Sequence, residues 1–122
     1  MRTKDEWIVF AKNLAIQVFK ITDSMKFGPA NNEIIRQITR CSNSVGANYR
    51  ATKRAKSSKD FLNKFKIVEE EADETIYFLE IISEREPKFK PEIDELIKQY
   101  IELLSVVVAS INTIKKNNPD LQ

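Results

Sequence analysis

Apolar residues recur every three or four positions through four long segments of this chain, and a period of that kind admits helices and little else. In residues 3–25 the positions are Trp7, Phe10, Ala11, Leu14, Val18, Ile21 and Met25, with Ile8, Ala15 and Phe19 widening the stripe. Residues 31–54 align Ile34 or Ile35, Ile38, Cys41, Val45 and then Asn48 or Tyr49. Residues 58–84 align Phe61, Phe65, Val68, Ala72, Thr75 or Ile76, Leu79 and Ile82, close to a heptad. Residues 91–116 align Ile93, Leu96 or Ile97, Tyr100, Leu103 or Leu104, Val107, Ile111 and Ile114. The ends carry their own signals. Thr3 with Glu6 fits a capping box, Ser57 with Asp60 fits an N-cap, and Pro91 suits a first helical turn. Phe27-Gly28-Pro29, Glu86-Pro87 and Asn118-Pro119 interrupt the period, because proline lacks the donor that a helix interior needs. Long helices joined by short loops predict one all-α domain over residues 1–122, an antiparallel up-down-up-down four-helix bundle.

Composition removes much chemistry. Histidine is absent, which takes away the usual general base and the usual metal ligand together. The single cysteine, Cys41, falls on the apolar stripe and reads as a small core residue. The acidic run Glu69–Glu74 has no histidine to complete a bundle metal site and faces a basic segment, so no metal, cofactor or catalytic residue is expected. No glycine-rich phosphate loop occurs, and no small-molecule substrate is identified. The expectation is a non-enzymatic protein. With no secretion signal and no unbroken apolar run of bilayer length, it is expected in the cytoplasm and away from membranes.

The apolar residues exceed what one stripe holds. Residues 76–82 read Ile-Tyr-Phe-Leu-Glu-Ile-Ile, and residues 101–114 spread apolar side chains around the whole helix. Such a surplus is covered by a second copy in many soluble proteins, so a homo-oligomer is expected, with Tyr77, Phe78, Ile81, Ile101, Val106 and Val108 at its interface. The bland alternative is a thick core with scattered exposed valines and isoleucines.

Charge is segregated although the net is only +2. Arg36, Arg40, Arg50, Lys53, Arg54, Lys56, Lys59, Lys64 and Lys66 are offset by Asp60 alone, and the segment from Glu69 to Glu86 is as strongly acidic. Two readings stand side by side. In one, the second and third helices form a hairpin turning near residue 56, and Arg36 and Arg40 pair with Glu69, Asp73 or Glu74; the protein is then a structural or protein-interaction module without nucleic acid. In the other, Arg50, Lys53, Arg54, Lys56, Lys59, Lys64 and Lys66 form a phosphate-binding patch for RNA or DNA. The polar middle of the second segment, with Ser44 and Asn48 near an apolar stripe, reads as a buried hydrogen-bond network, with a small-ligand site as the weaker alternative.

The run Ser44-Val45-Gly46-Ala47-Asn48-Tyr49-Arg50-Ala51, the joint Lys53-Arg54-Ala55, then Ser57-Ser58-Lys59-Asp60-Phe61, Ile67-Val68-Glu69-Glu70-Glu71-Ala72-Asp73-Glu74 and Tyr77-Phe78-Leu79-Glu80 together resemble the bacterial four-helix-bundle proteins related to the 23S rRNA-intervening sequence proteins. The resemblance spans about residues 5–116. It implies a left-handed bundle and a ring-shaped homo-oligomer, with a homopentamer the known form. It also implies kinship with nucleic-acid-binding accessory subunits of diversity-generating retroelements. Many members read Asn-Ile-Ala-Glu-Gly where this chain has Asn48-Tyr49-Arg50-Ala51-Thr52, so the family's glutamate and glycine are absent here.

Overall fold

The computed structural model describes residues 1–121. It contains four α-helices, α1 (Lys4–Thr22), α2 (Pro29–Ala51), α3 (Ser58–Arg85) and α4 (Lys90–Asn117), with single 3-10 turns at Thr52–Arg54, Pro87–Phe89 and Pro119–Leu121. No strand occurs among the described residues. The expected caps form. Glu6 N–H donates to Thr3 Oγ1 at 3.2 Å while Thr3 N–H donates to Glu6 Oε1 at 3.0 Å, closing the capping box. Asp60 N–H donates to Ser57 Oγ at 3.0 Å, and the Asp60 carboxylate accepts from Lys56 N–H at 3.0 Å. The Lys64 ammonium, and then this backbone N–H, hold the Asp60 carboxyl below the usual carboxylate range.

Two boundaries depart from the apolar period. α1 stops at Thr22 instead of running to Met25. Thr22 Oγ1 donates to the Phe19 carbonyl and Ser24 Oγ to the Lys20 carbonyl, so side chains bond carbonyls of the last turn while Asp23 and Ser24 favour leaving the helix. Met25 still reaches the core from beyond the helix end. α2 begins two residues early, with Pro29 in its first turn, and its last residues tighten into the 3-10 turn that holds Lys53 and Arg54.

The helices pack in chain order, α1 on α2, α2 on α3 and α3 on α4, and α4 touches α1 more lightly. Side-chain pairs fix the sense of α2 against α3: Asn31 meets Arg85, Arg40 meets Glu74 and Cys41 meets Thr75, so the two run antiparallel. Asp5 with Lys53, and Ala11 and Lys12 beside Gly46, show the same for α1 and α2. Each helix sends one stripe into a shared core that includes Leu14, Val18, Ile38, Val45, Val68, Leu79, Leu96, Leu103 and Val107. The stripes follow the sequence pattern with one exchange. Phe61 and Phe10 are only half-buried, and Leu62 takes the buried position at the start of α3.

Tyr100 is fully buried, and its hydroxyl has no hydrogen-bond partner among the described residues. Burial drives its pKa up, so the phenol stays neutral. A buried hydroxyl left unbonded costs about 1–3 kcal/mol. Tyr100→Phe, which keeps the ring and removes the hydroxyl, is expected to raise stability by about 1 kcal/mol in urea unfolding. A lower urea midpoint would count against this account of the core.

α4 needs one correction to the sequence reading. The stretch Pro87–Asn117 is long and apolar enough to cross a membrane by length and composition, and only 22% of its most apolar window is buried. Its inward stripe, from Ile93 to Ile114, nevertheless lies in the bundle core, which makes it a core helix with a second apolar side.

Candidate nucleic-acid interface and assembly face

The basic residues divide into three groups once the helices are placed. Lys53, Arg54, Lys56 and Lys59 are all exposed and follow one another through the 3-10 turn, the joint and the first turn of α3. Among the described residues one ion pair touches this group, Lys53 Nζ to Asp5 at 2.7 Å. Arg50 instead lines a groove between α1 and α2 with Ile8, Val9, Lys12, Ala15, Asn43, Gly46 and Ala47. Lys64 is half-buried and bonded to Asp60 at 2.6 Å, so it is withdrawn from any phosphate surface. Lys66 lies about 12 Å further along α3 from its first residue, on the line that continues through Glu70, Asp73 and Tyr77. The phosphate patch read from sequence therefore narrows to Lys53, Arg54, Lys56 and Lys59. No exposed aromatic side chain accompanies it. Tyr49 and Phe65 are buried, and Phe61 is half-buried beneath Lys4, whose ammonium sits 4.7 Å from the ring centre.

The interhelical pairs also differ in detail. Arg40 bonds Glu74 at 2.8 Å and Glu71 at 3.2 Å. Arg36 bonds Glu33 on its own helix at 2.8 Å. The hairpin turns slightly later than residue 56, so Arg36 lies beyond the reach of Glu74, and neither Glu69 nor Asp73 has an ion-pair partner among the described residues. The Arg40 pairs are half-exposed and are worth at most about 1 kcal/mol, so they fix register more than stability.

Ser44 and Asn48 are half-buried, not buried, which corrects the expected core network. Asn48 Nδ2 donates to the Ser44 carbonyl at 2.9 Å and to Ser44 Oγ at 3.1 Å, so the pair is satisfied within its own helix. Ser42 is the buried serine, and its hydroxyl donates to the Thr39 carbonyl. Ser42 stands four residues after Ile38 and three before Val45, on the same buried stripe.

Cys41 Sγ and one carboxylate oxygen each of Glu71 and Glu74 lie within 4.8 Å of one another. The arrangement has the look of a metal site, but Arg40 occupies it as the counter-charge to both carboxylates. Burial pushes the Cys41 thiol up, against the hydrogen bond that Thr75 Oγ1 donates to Sγ at 3.2 Å. A buried, protonated thiol is a poor nucleophile. Cys41 is expected to resist a thiol reagent such as a disulfide dye in the native state and to react fully in urea; rapid native labelling would show that the thiol is accessible.

Of the six residues expected at an assembly interface, Tyr77 is 57% exposed, Ile101 55% and Val108 39%. Phe78, Ile81 and Val106 are half-buried. Ile97, Ile101, Leu104 and Val108 follow at steps of four, three and four and form one line along α4. Val106 lies off that line, in a separate hollow with Phe61, Ala109 and Ser110.

A family model for the 23S rRNA-intervening sequence protein matches residues 6–109. The chain belongs to that family. A solved structure from Bacteroides thetaiotaomicron, described as a protein of unknown function from the S23 ribosomal protein family, superposes with a TM-score of 0.75 over 86% of this chain and 97% of its own, at 24% identity. At that identity the likeness speaks for the bundle fold alone. No curated protein matches the sequence.

Proposed function

We propose that this member of the 23S rRNA-intervening sequence family is a non-enzymatic, self-associating bundle that binds RNA through its phosphate backbone, in the cytoplasm. The observation that carries the nucleic-acid part is the run of four exposed cations, Lys53, Arg54, Lys56 and Lys59, with Asp60 as the nearest acid in sequence and already bonded to Lys64. Repetition of that run in an assembly multiplies its field. The lack of an exposed aromatic platform makes the contact indifferent to base sequence, since phosphate contacts position without specifying. Self-association is supported by the exposed line on α4 and by Tyr77 on α3, which a second copy would cover.

Four phosphate contacts release enough counterions that affinity for single-stranded RNA should fall roughly 50-fold between about 50 and 200 mM salt. Fluorescence anisotropy of a labelled RNA across that range measures it. A flat salt dependence, or no binding at low salt, would contradict the RNA reading. It would favour an interaction module whose cations serve protein contacts, as Lys53 already does with Asp5.

A further inference from the structure

Two surfaces carry opposite charges that find no ion-pair partner among the described residues. On α3, Glu70, Asp73, Tyr77, Glu80 and Glu84 follow at steps of three and four and so share one outer line, all exposed. None of these four acids forms an ion pair among the described residues. On the other side of the molecule, Lys12 from α1 and Arg50 from α2 flank a groove of about 610 Å³. Neither cation forms an ion pair among the described residues. The groove exists because its floor is small. Ala15, Gly46 and Ala47 line it, and a methyl group added at Gly46 would already stand 3.6 Å from Lys12 Cα. Because the helices pack in chain order, the α1/α2 side lies opposite the α3/α4 side.

We propose that the α1/α2 groove of one copy receives the Tyr77 line of α3 from a second copy, with Asp73 and Glu80 meeting Lys12 and Arg50. The proposal rests on the reading that the chain self-associates and names the two surfaces that meet. Charge decides the pairing. Placing the α3 line against its own copy across a two-fold axis would bring Asp73 and Glu80 towards their like, which repels. Placing it against the groove sets acids on bases and puts the most exposed aromatic ring of the helices, Tyr77, over the small-residue floor. Asp73 and Glu80 lie about 10 Å apart along α3, a span that the long side chains of Lys12 and Arg50 can meet. Because the two surfaces differ and lie on opposite sides, the contact is head-to-tail and each copy can give and receive once, which builds a ring or a filament.

Charge reversal tests it, using the full chain and light scattering coupled to size exclusion. The pair Asp73→Lys with Glu80→Lys should reduce an assembled wild type to 14.2 kDa, and so should Lys12→Glu with Arg50→Glu. Neither pair should restore itself, but all four changes in one chain should recover the wild-type mass. Circular dichroism confirms that each variant is helical. If the wild type assembles and either reversed pair leaves its mass unchanged, or the combined variant fails to recover it, the surfaces named here are wrong while self-association stands. If the wild type is itself 14.2 kDa, both readings fall. If the groove serves RNA instead, Lys12→Glu with Arg50→Glu lowers RNA affinity at constant mass, and the proposal is overturned.

Discussion

Replacing Lys53, Arg54, Lys56 and Lys59 together by Ala is expected to cost roughly a hundredfold in affinity for single-stranded RNA at low salt and to flatten the salt slope by about three. The effect is large because non-specific binding is almost entirely the release of counterions from phosphates, and these four supply the exposed cations of the joint between α2 and α3. The fold should survive. All four side chains are exposed, and the pair between Lys53 and Asp5 contributes at most about 1 kcal/mol. Anisotropy titrations at two salt concentrations, with circular dichroism as the control, read both quantities. Unchanged affinity in the quadruple variant would place the contact elsewhere or nowhere.

Ile101→Asp combined with Val108→Asp, on the α4 line that flanks the proposed Tyr77 contact of α3, is expected to abolish self-association while leaving each bundle folded. Both residues stand on the outer line of α4, so a carboxylate there stays solvated in the single copy. At a buried interface each unpaired charge costs several kcal/mol, and about 1.4 kcal/mol is a factor of ten, so association should weaken by roughly a thousandfold or more. Sedimentation velocity at micromolar concentration reads the change. An oligomer that persists in this variant would move the interface away from α4.

The bundle was legible in the sequence because each helix carries one apolar stripe at the helical period and because Thr3, Ser57 and the prolines mark the ends chemically. The errors fall where period stops deciding. Met25 fits the stripe of α1, but hydroxyl side chains bond the last carbonyls and end the helix before it. Phe61 fits the stripe of α3, yet at the bundle end it lies only half-buried beneath Lys4, and Leu62 fills the core. Arg36 and Arg40 look equivalent in sequence. A small displacement of the turn gives Arg40 both Glu71 and Glu74 and leaves Arg36 to Glu33 on its own helix. The basic patch narrowed for a similar reason: whether a lysine is free depends on its neighbour one turn away, as Asp60 shows for Lys64. The groove was invisible in the sequence because its floor joins Ala15 to Gly46 and Ala47, residues of different helices whose only shared property is small size.

Residues Tyr77, Ile101 and Val108 stand exposed on two neighbouring helices, and the whole account turns on another copy covering them. The most direct measurement is the absolute molar mass of the purified chain at micromolar concentration, by light scattering on a sizing column. A mass of two or more whole multiples of 14.2 kDa is the predicted result, and a homogeneous species of 14.2 kDa would contradict it.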